Sequence, residues 1–204
     1  MELAELSKAG YRLLKEGKLE EAEECFQSIL AADPRNHYAL VGIGEAARKK
    51  GDLPRAIQEY QACLAAHPAN RYALIGMADC YSELGAQAKA IDIWERYLQK
   101  NDSDVTVLTR AADAYRKLRE FRKSRELYLK ALELEADNPY ALNGLAHLHF
   151  DFKAYPEAAG FWERMLAQDP KNIRVLTSLG NCNRKLRDFA RGLGYFRAAL
   201  YPTE

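Results

Sequence analysis

The chain has 204 residues, 48% of them hydrophobic and 29% charged, a composition that supplies a core and lacks the bias of a disordered chain. Thirty Lys and Arg against 29 Asp and Glu leave a formal charge of +1, without the basic excess of a protein that lives on phosphate contacts. No apolar run reaches the length of a membrane span, and Met1-Glu2-Leu3-Ala4-Glu5-Leu6 is acidic and amphipathic where a secretory leader would be basic and then continuously apolar; a cytoplasmic chain with no membrane insertion is expected.

Along the chain the apolar residues recur at spacings of three and four and never alternate at two, so each segment reads as helix. A first pair of helices, from Leu3, carries Leu6 and Gly10, breaks at Gly17, and resumes with Ala22, Phe26 and Leu30 before Pro34. The second, from His37, carries Leu40, Ile43, Gly44 and Ala47, breaks at Gly51, and resumes past Pro54 with Ala56, Ile57, Tyr60, Cys63 and Leu64 before Pro68. The third, from Arg71, repeats this with Leu74, Ala78, Gly85, Ala90, Trp94 and Leu98. The fourth, from Val105, has Leu108, Ala112, Ser124, Tyr128 and Leu132; the fifth, from Pro139, has Leu142, Ala146, Ala158, Trp162, Leu166 and Pro170; the sixth, from Ile173, has Leu176, Gly180, Gly192, Phe196 and Leu200. The period is 34 residues, with no insertion anywhere, giving units 3–36, 37–70, 71–104, 105–138, 139–172 and 173–204 of one domain.

The breakers Gly17, Gly51 and Gly85 tolerate the left-handed conformation that ends a helix. Pro54 and Pro156 fall in a first turn, where a missing N–H costs little, and Pro34, Pro68 and Pro170 stop propagation into the next unit. The small columns mark close helix crossings, and the aromatic column Phe26, Tyr60, Trp94, Tyr128, Trp162, Phe196 fills the space beside them. A helix pair this short cannot bury its apolar stripe alone, so neighbouring units must share a core.

In these spacings the chain resembles the tetratricopeptide repeat family, best in Leu74, Ala78, Tyr81, Ala90 and Trp94 and in Leu142, Ala146, Ala158, Trp162 and Pro170. The resemblance implies an all-α, right-handed solenoid of six helix-turn-helix units. Its concave wall, lined by the first helix of each unit, would hold an extended peptide or a helix of another protein. Departures are Asp102 and Ala136 for the closing Pro, Arg119, Lys153 and Arg187 for the turn Gly, and Ala47, His149 and Asn183 for the first-helix Tyr. The chaperone-tail receptors of the family use Lys, Asn and Arg at places that here hold Ser7, Tyr11, Gly42, Tyr72 and Gly76, or, from the fourth unit, Thr109, Asp113, Gly144, Arg174 and Ser178. The asparagine ladder of the sugar-transferase solenoids is replaced by Lys8, Gly42, Gly76, Arg110, Gly144 and Ser178.

Two motifs imitate enzymes. Gly42-Ile43-Gly44-Glu45-Ala46-Ala47 has the letters of a dinucleotide fingerprint but follows no strand. His147 and His149, two apart, point about 200° apart around a helix, so they cannot share a metal; His149 occupies a core column and His147 faces the groove. No Walker A sequence, HExxH or GxSxG elbow occurs. The expectation is no catalytic residue, metal or cofactor. The four cysteines, Cys25, Cys63, Cys80 and Cys182, are read as buried, reduced small residues.

Binding therefore rests on first-helix residues outside the packing columns. Tyr38-Ala39-Leu40-Val41-Gly42, Tyr72-Ala73-Leu74-Ile75-Gly76 and Tyr140-Ala141-Leu142-Asn143-Gly144 place a Tyr one turn from a Gly. Either a notch opens beside each ring for a ligand backbone, with the hydroxyls as partners, or each Tyr packs on the preceding second helix and each Gly relieves crowding. One turn on stand Glu45, Asp79, Asp113, His147 and Asn181, with basic pairs Arg48-Lys49, Arg116-Lys117 and Arg184-Lys185 in alternate units. Glu45 with Lys49 and Asp113 with Lys117 are i,i+4 pairs worth about 0.2–0.5 kcal/mol each. Asp79 has Glu83 at that spacing and no local cation apart from Arg110, one helix on, and so is the stronger ligand contact. Asn143 and Arg110 complete the candidate groove. A nucleic acid ligand is disfavoured by the balanced charge and the inner acids; a recruiting domain of a larger enzyme is the alternative to a free-standing scaffold. Leu193, Phe196 and Leu200 lack a covering helix, so this end reads as a cut edge or as a surface for self-association or a partner.

Overall fold

A computed structural model describes residues 2–201. Among them are twelve α-helices and no strand: α1 Leu3–Glu16, α2 Leu19–Ala32, α3 His37–Lys49, α4 Leu53–Ala66, α5 Arg71–Glu83, α6 Gln87–Leu98, α7 Val105–Lys117, α8 Phe121–Leu134, α9 Pro139–Asp151, α10 Tyr155–Gln168, α11 Ile173–Lys185 and α12 Phe189–Leu200. They pair as helical hairpins in two compact units, Met1–Asn101 and Asp102–Glu204.

Eight of the twelve helices start on a side-chain cap or a first-turn proline. Asn36, Asn70, Asp104, Asn138 and Asn172, one period apart, cap α3, α5, α7, α9 and α11 by accepting the N–H of Ala39, Ala73, Val107, Ala141 and Val175. Asp52 and Asp188 do the same for α4 and α12. Pro54, Pro139 and Pro156 lie in first turns, where no backbone bond is lost.

The turn inside every hairpin is left-handed. Gly17, Gly51 and Gly85 have φ of 79°, 83° and 79°, and Arg119, Lys153 and Arg187 hold the same place at 62°, 61° and 64°. The departures at this column thus change the residue and leave the backbone as it was. A side chain there costs about 1–2 kcal/mol, partly offset by the entropy glycine adds to the unfolded chain. Replacing Arg119, Lys153 or Arg187 by Gly is expected to raise stability by about 0.5–1 kcal/mol each, read as a higher melting temperature, while Gly51→Val lowers it.

In the first unit α3 packs on both α1 and α2, and α5 on both α3 and α4. Leu14, Ala22, Phe26, Ile29, Ala39, Ile43 and Ala46 form one core, and Leu40, Ala47, Ala56, Tyr60, Cys63, Ala73 and Cys80 the next. In the second unit Ala146, Ala158, Trp162, Val175, Leu179 and Cys182 are packed together by α9, α10 and α11. Cys63, Cys80 and Cys182 are buried and Cys25 is half-buried, so the fourth departs from the expected burial; all four are free thiols. Burial pushes the Cys80 thiol up to about 11, out of the reactive range.

Candidate functional site

In each unit the first helices of neighbouring hairpins stand side by side, α1 with α3 and α3 with α5 in one, α7 with α9 in the other. Of the two readings of the glycines in this wall, packing holds: the space beside them is filled and no notch opens. A Cβ on Gly42 would fall inside the Phe26 ring, one on Gly76 inside Tyr60 and one on Gly144 inside Tyr128. Phe26 also lies against Gly10 and Tyr60 against Gly44. The aromatic knob of one hairpin therefore fills the space that the next hairpin's glycine leaves. The missing side chain serves packing, and Gly42 and Gly144 are buried.

The tyrosines of the same phrase behave differently. Tyr38, Tyr72 and Tyr140 are 55%, 66% and 74% exposed, so they do not pack into the preceding second helix. The Tyr38 ring lies 4.0 Å from the His37 ring at a tilt of 37°, and His37 meets His67 edge-on. The Tyr38 carbonyl accepts from the Tyr11 hydroxyl at 2.9 Å, and the Arg71 guanidinium lies over the Tyr72 ring. Each ring thus projects from a backbone that its cap and neighbours fix.

The acids one turn along are engaged. Arg48 reaches from α3 to α5, its Nη1 2.7 Å from Glu83 and 3.5 Å from Asp79, which corrects the reading of Asp79 as lacking a local cation; the cation comes from the preceding hairpin. In the second unit Arg116 repeats this, bonding Asp113 at 3.0 Å on its own helix and meeting Asp151 of α9 at 3.5 Å. The i,i+4 pairs form as expected, Glu45 with Lys49 at 3.9 Å and Asp113 with Lys117 at 2.9 Å. A negative strip is therefore largely neutralised from within. Arg110 is half-buried on α7.

Asn143 accepts from the indole Nε1 of Trp162 at 3.1 Å, and His147 lies edge-on to the same indole at 5.3 Å. Asn143 thus supports the core as well as the wall. His149 is not a fully buried core residue; it is half-buried beside Phe161, and His147 is partly buried as well. Desolvation, with Arg116 nearby, lowers the His147 pKa. Among the described residues no three His, Cys, Asp or Glu are grouped to hold a metal ion, and no helix is long and apolar enough to cross a membrane.

Asp113 titrates low: burial alone would raise its pKa above the ordinary 3.8, but Lys117 and Arg116 overcome that and lower it. A depressed carboxylate stabilises the fold above its unfolded pKa, and that stability is lost as pH falls through the lower folded value. Asp113→Asn is therefore expected to flatten the acid limb of stability below pH 3.8, by under about 1 kcal/mol because the pair is part-exposed, as read by denaturant titration across pH.

Two family models described as tetratricopeptide repeat match, one over residues 7–70 and 109–173 and the other over residues 47–108. No curated protein matches the chain. Among solved structures, a tetratricopeptide repeat protein from Parabacteroides merdae is 22% identical with a TM-score of 0.82, covering 99% of this chain and 80% of that one. PilF of Pseudomonas aeruginosa is 18% identical with a TM-score of 0.85, over 99% of this chain and 93% of the other. PilW, a type IV pilus biogenesis factor, is 12% identical with a TM-score of 0.89, over 99% and 94%. At these identities the likeness is one of fold.

Proposed function

The chain belongs to the tetratricopeptide repeat family, and from that premise we propose that it is a non-enzymatic scaffold whose first-helix wall holds an extended or helical segment of a partner protein. The observation that carries this reading is the set of three tyrosines, each more than half exposed on a rigid helix. A tyrosine presents a large amphipathic surface with few rotors to freeze, which makes it an effective contact residue. Tyr38 and Tyr72 offer this within the first unit, and Tyr140 offers it in the second beside His147 and Asn143. The acids play a supporting part, since Asp79 and Asp113 already bind Arg48 and Arg116. The four free thiols favour a reducing, cytoplasmic setting.

The test is co-purification with the full chain as bait. Tyr38→Ala with Tyr72→Ala is expected to weaken capture of a partner by about 2 kcal/mol or more, with helicity and melting temperature unchanged because both rings are exposed. Asp79→Ala, by contrast, should lower stability as well. A double variant that stays folded and retains the same partner at full strength would refute the tyrosine wall.

A further inference from the structure

The basic pairs in alternate units have a structural logic that runs past the last helix. In the second hairpin Arg48 meets Glu83 of the third; in the fourth, Arg116 meets Asp151 of the fifth. In both cases the covering helix lays a glycine over the aromatic knob, Gly76 over Tyr60 and Gly144 over Tyr128, and places the acid seven residues later. Glycine covers the ring and, two turns on, the carboxylate meets the arginine.

The sixth hairpin carries the receiving half of this arrangement. Arg184 occupies the register of Arg48 and Arg116, yet it is exposed, and among the described residues its only polar side-chain contact is Asn181 at 3.4 Å. Phe196 occupies the knob position. It lies against Gly180 of its own hairpin but is only half-buried, whereas Phe26, Tyr60, Trp94, Tyr128 and Trp162 are at most 2% exposed. Leu193, whose counterparts Ile57, Ile91 and Ala159 are under 10% exposed, is 51% exposed, and Leu200 is 72% exposed. Phe189 and Tyr201 extend the apolar face.

The corresponding face of α1 is charged. Where α5 presents Ala73, Gly76, Cys80 and Glu83 to the preceding hairpin, α1 carries Glu5, Lys8, Arg12 and Lys15, all exposed. Lys8 would have to sit on Phe196 and Lys15 would face Arg184, so head-to-tail stacking of two copies is opposed both by bulk and by like charge.

We propose that the face formed by α11 and α12 docks an amphipathic helix of a partner protein that carries a small residue and, seven positions on, an aspartate or glutamate. The small residue seats on Phe196, the apolar neighbours cover Leu193 and Leu200, and the carboxylate pairs with Arg184. This contact is independent of the tyrosine wall.

The probe is a labelled peptide with the sequence of α9, Pro139–Asp151, held helical by a hydrocarbon staple and titrated into the full chain by fluorescence anisotropy. Saturable binding is expected, weakened about tenfold or more by Arg184→Glu and by Leu193→Glu. A peptide with Lys in place of its terminal Asp should bind the Arg184→Glu protein better than the original peptide does. Tyr38→Ala with Tyr72→Ala should leave binding unchanged. The proposal is overturned by absence of saturable binding, by indifference to Arg184→Glu, by loss on changing the tyrosines, or by a dimer in sedimentation that Leu193→Glu dissolves, which would make the occupant a second copy.

Discussion

Gly144→Leu is expected to cost about 3 kcal/mol or more of stability, and even Gly144→Ala should destabilise. A helix interior ordinarily gains up to about 1 kcal/mol when Gly becomes Ala. Here the added methyl lands on the Tyr128 ring, which is 2% exposed and has no room to swing away. Overpacking of this kind costs about 1–3 kcal/mol, so the clash outweighs the propensity gain. Two controls isolate the cause. Gly160, in the same unit on α10, has open space at its Cβ position, and Gly160→Ala should stabilise. In a Tyr128→Leu background the ring is gone, and Gly144→Ala should turn from a loss to a gain. Urea denaturation of the four members of the cycle reads the coupling directly. Additive single changes would mean that ring and glycine do not compete for the same space.

This pair also shows what the sequence makes legible. The fold follows from the period, because a strict repeat of apolar and small residues leaves only stacked hairpins as a way to bury them. The Asn36, Asn70, Asp104, Asn138 and Asn172 column marks where five of the six first helices begin, and the reading of the spacings passed over it. The glycine phrase was ambiguous for a physical reason. Spacing along one helix shows which residues share a face, but not whether that face meets solvent or the ring of the preceding hairpin. Tyr38 and Gly42 share a face and nevertheless differ completely in exposure. Arg48 and Glu83 were overlooked as partners because they are 35 residues apart, one period plus one, while pairing rules within a helix look only three or four residues away. The alternation of basic pairs between units was the available signal, and it acquires meaning only when adjacent hairpins are set side by side.

The second large effect comes from comparing one residue type in one register under two degrees of cover. Phe26→Ala should cost about 3–5 kcal/mol, the usual range for a fully buried ring, since Phe26 is 0% exposed and packed between Gly10 and Gly42. Phe196→Ala should cost about 1–2 kcal/mol, because Gly180 supports only one side of that ring. Both changes remove the same atoms, so intrinsic hydrophobicity and helix propensity cancel and the difference measures the cover supplied by a following helix. Repeat proteins unfold in sections, so hydrogen exchange resolved to individual helices should accompany the global measurement. Phe26→Ala should open α1 to α3, and Phe196→Ala should act on α11 and α12 alone. If the two losses are equal, the α12 face is already covered in solution and cannot be the open dock for a partner helix. If they differ as expected, addition of the α9 peptide should raise the cost of Phe196→Ala toward that of Phe26→Ala, because binding only to the folded face adds the missing side of the ring's cavity.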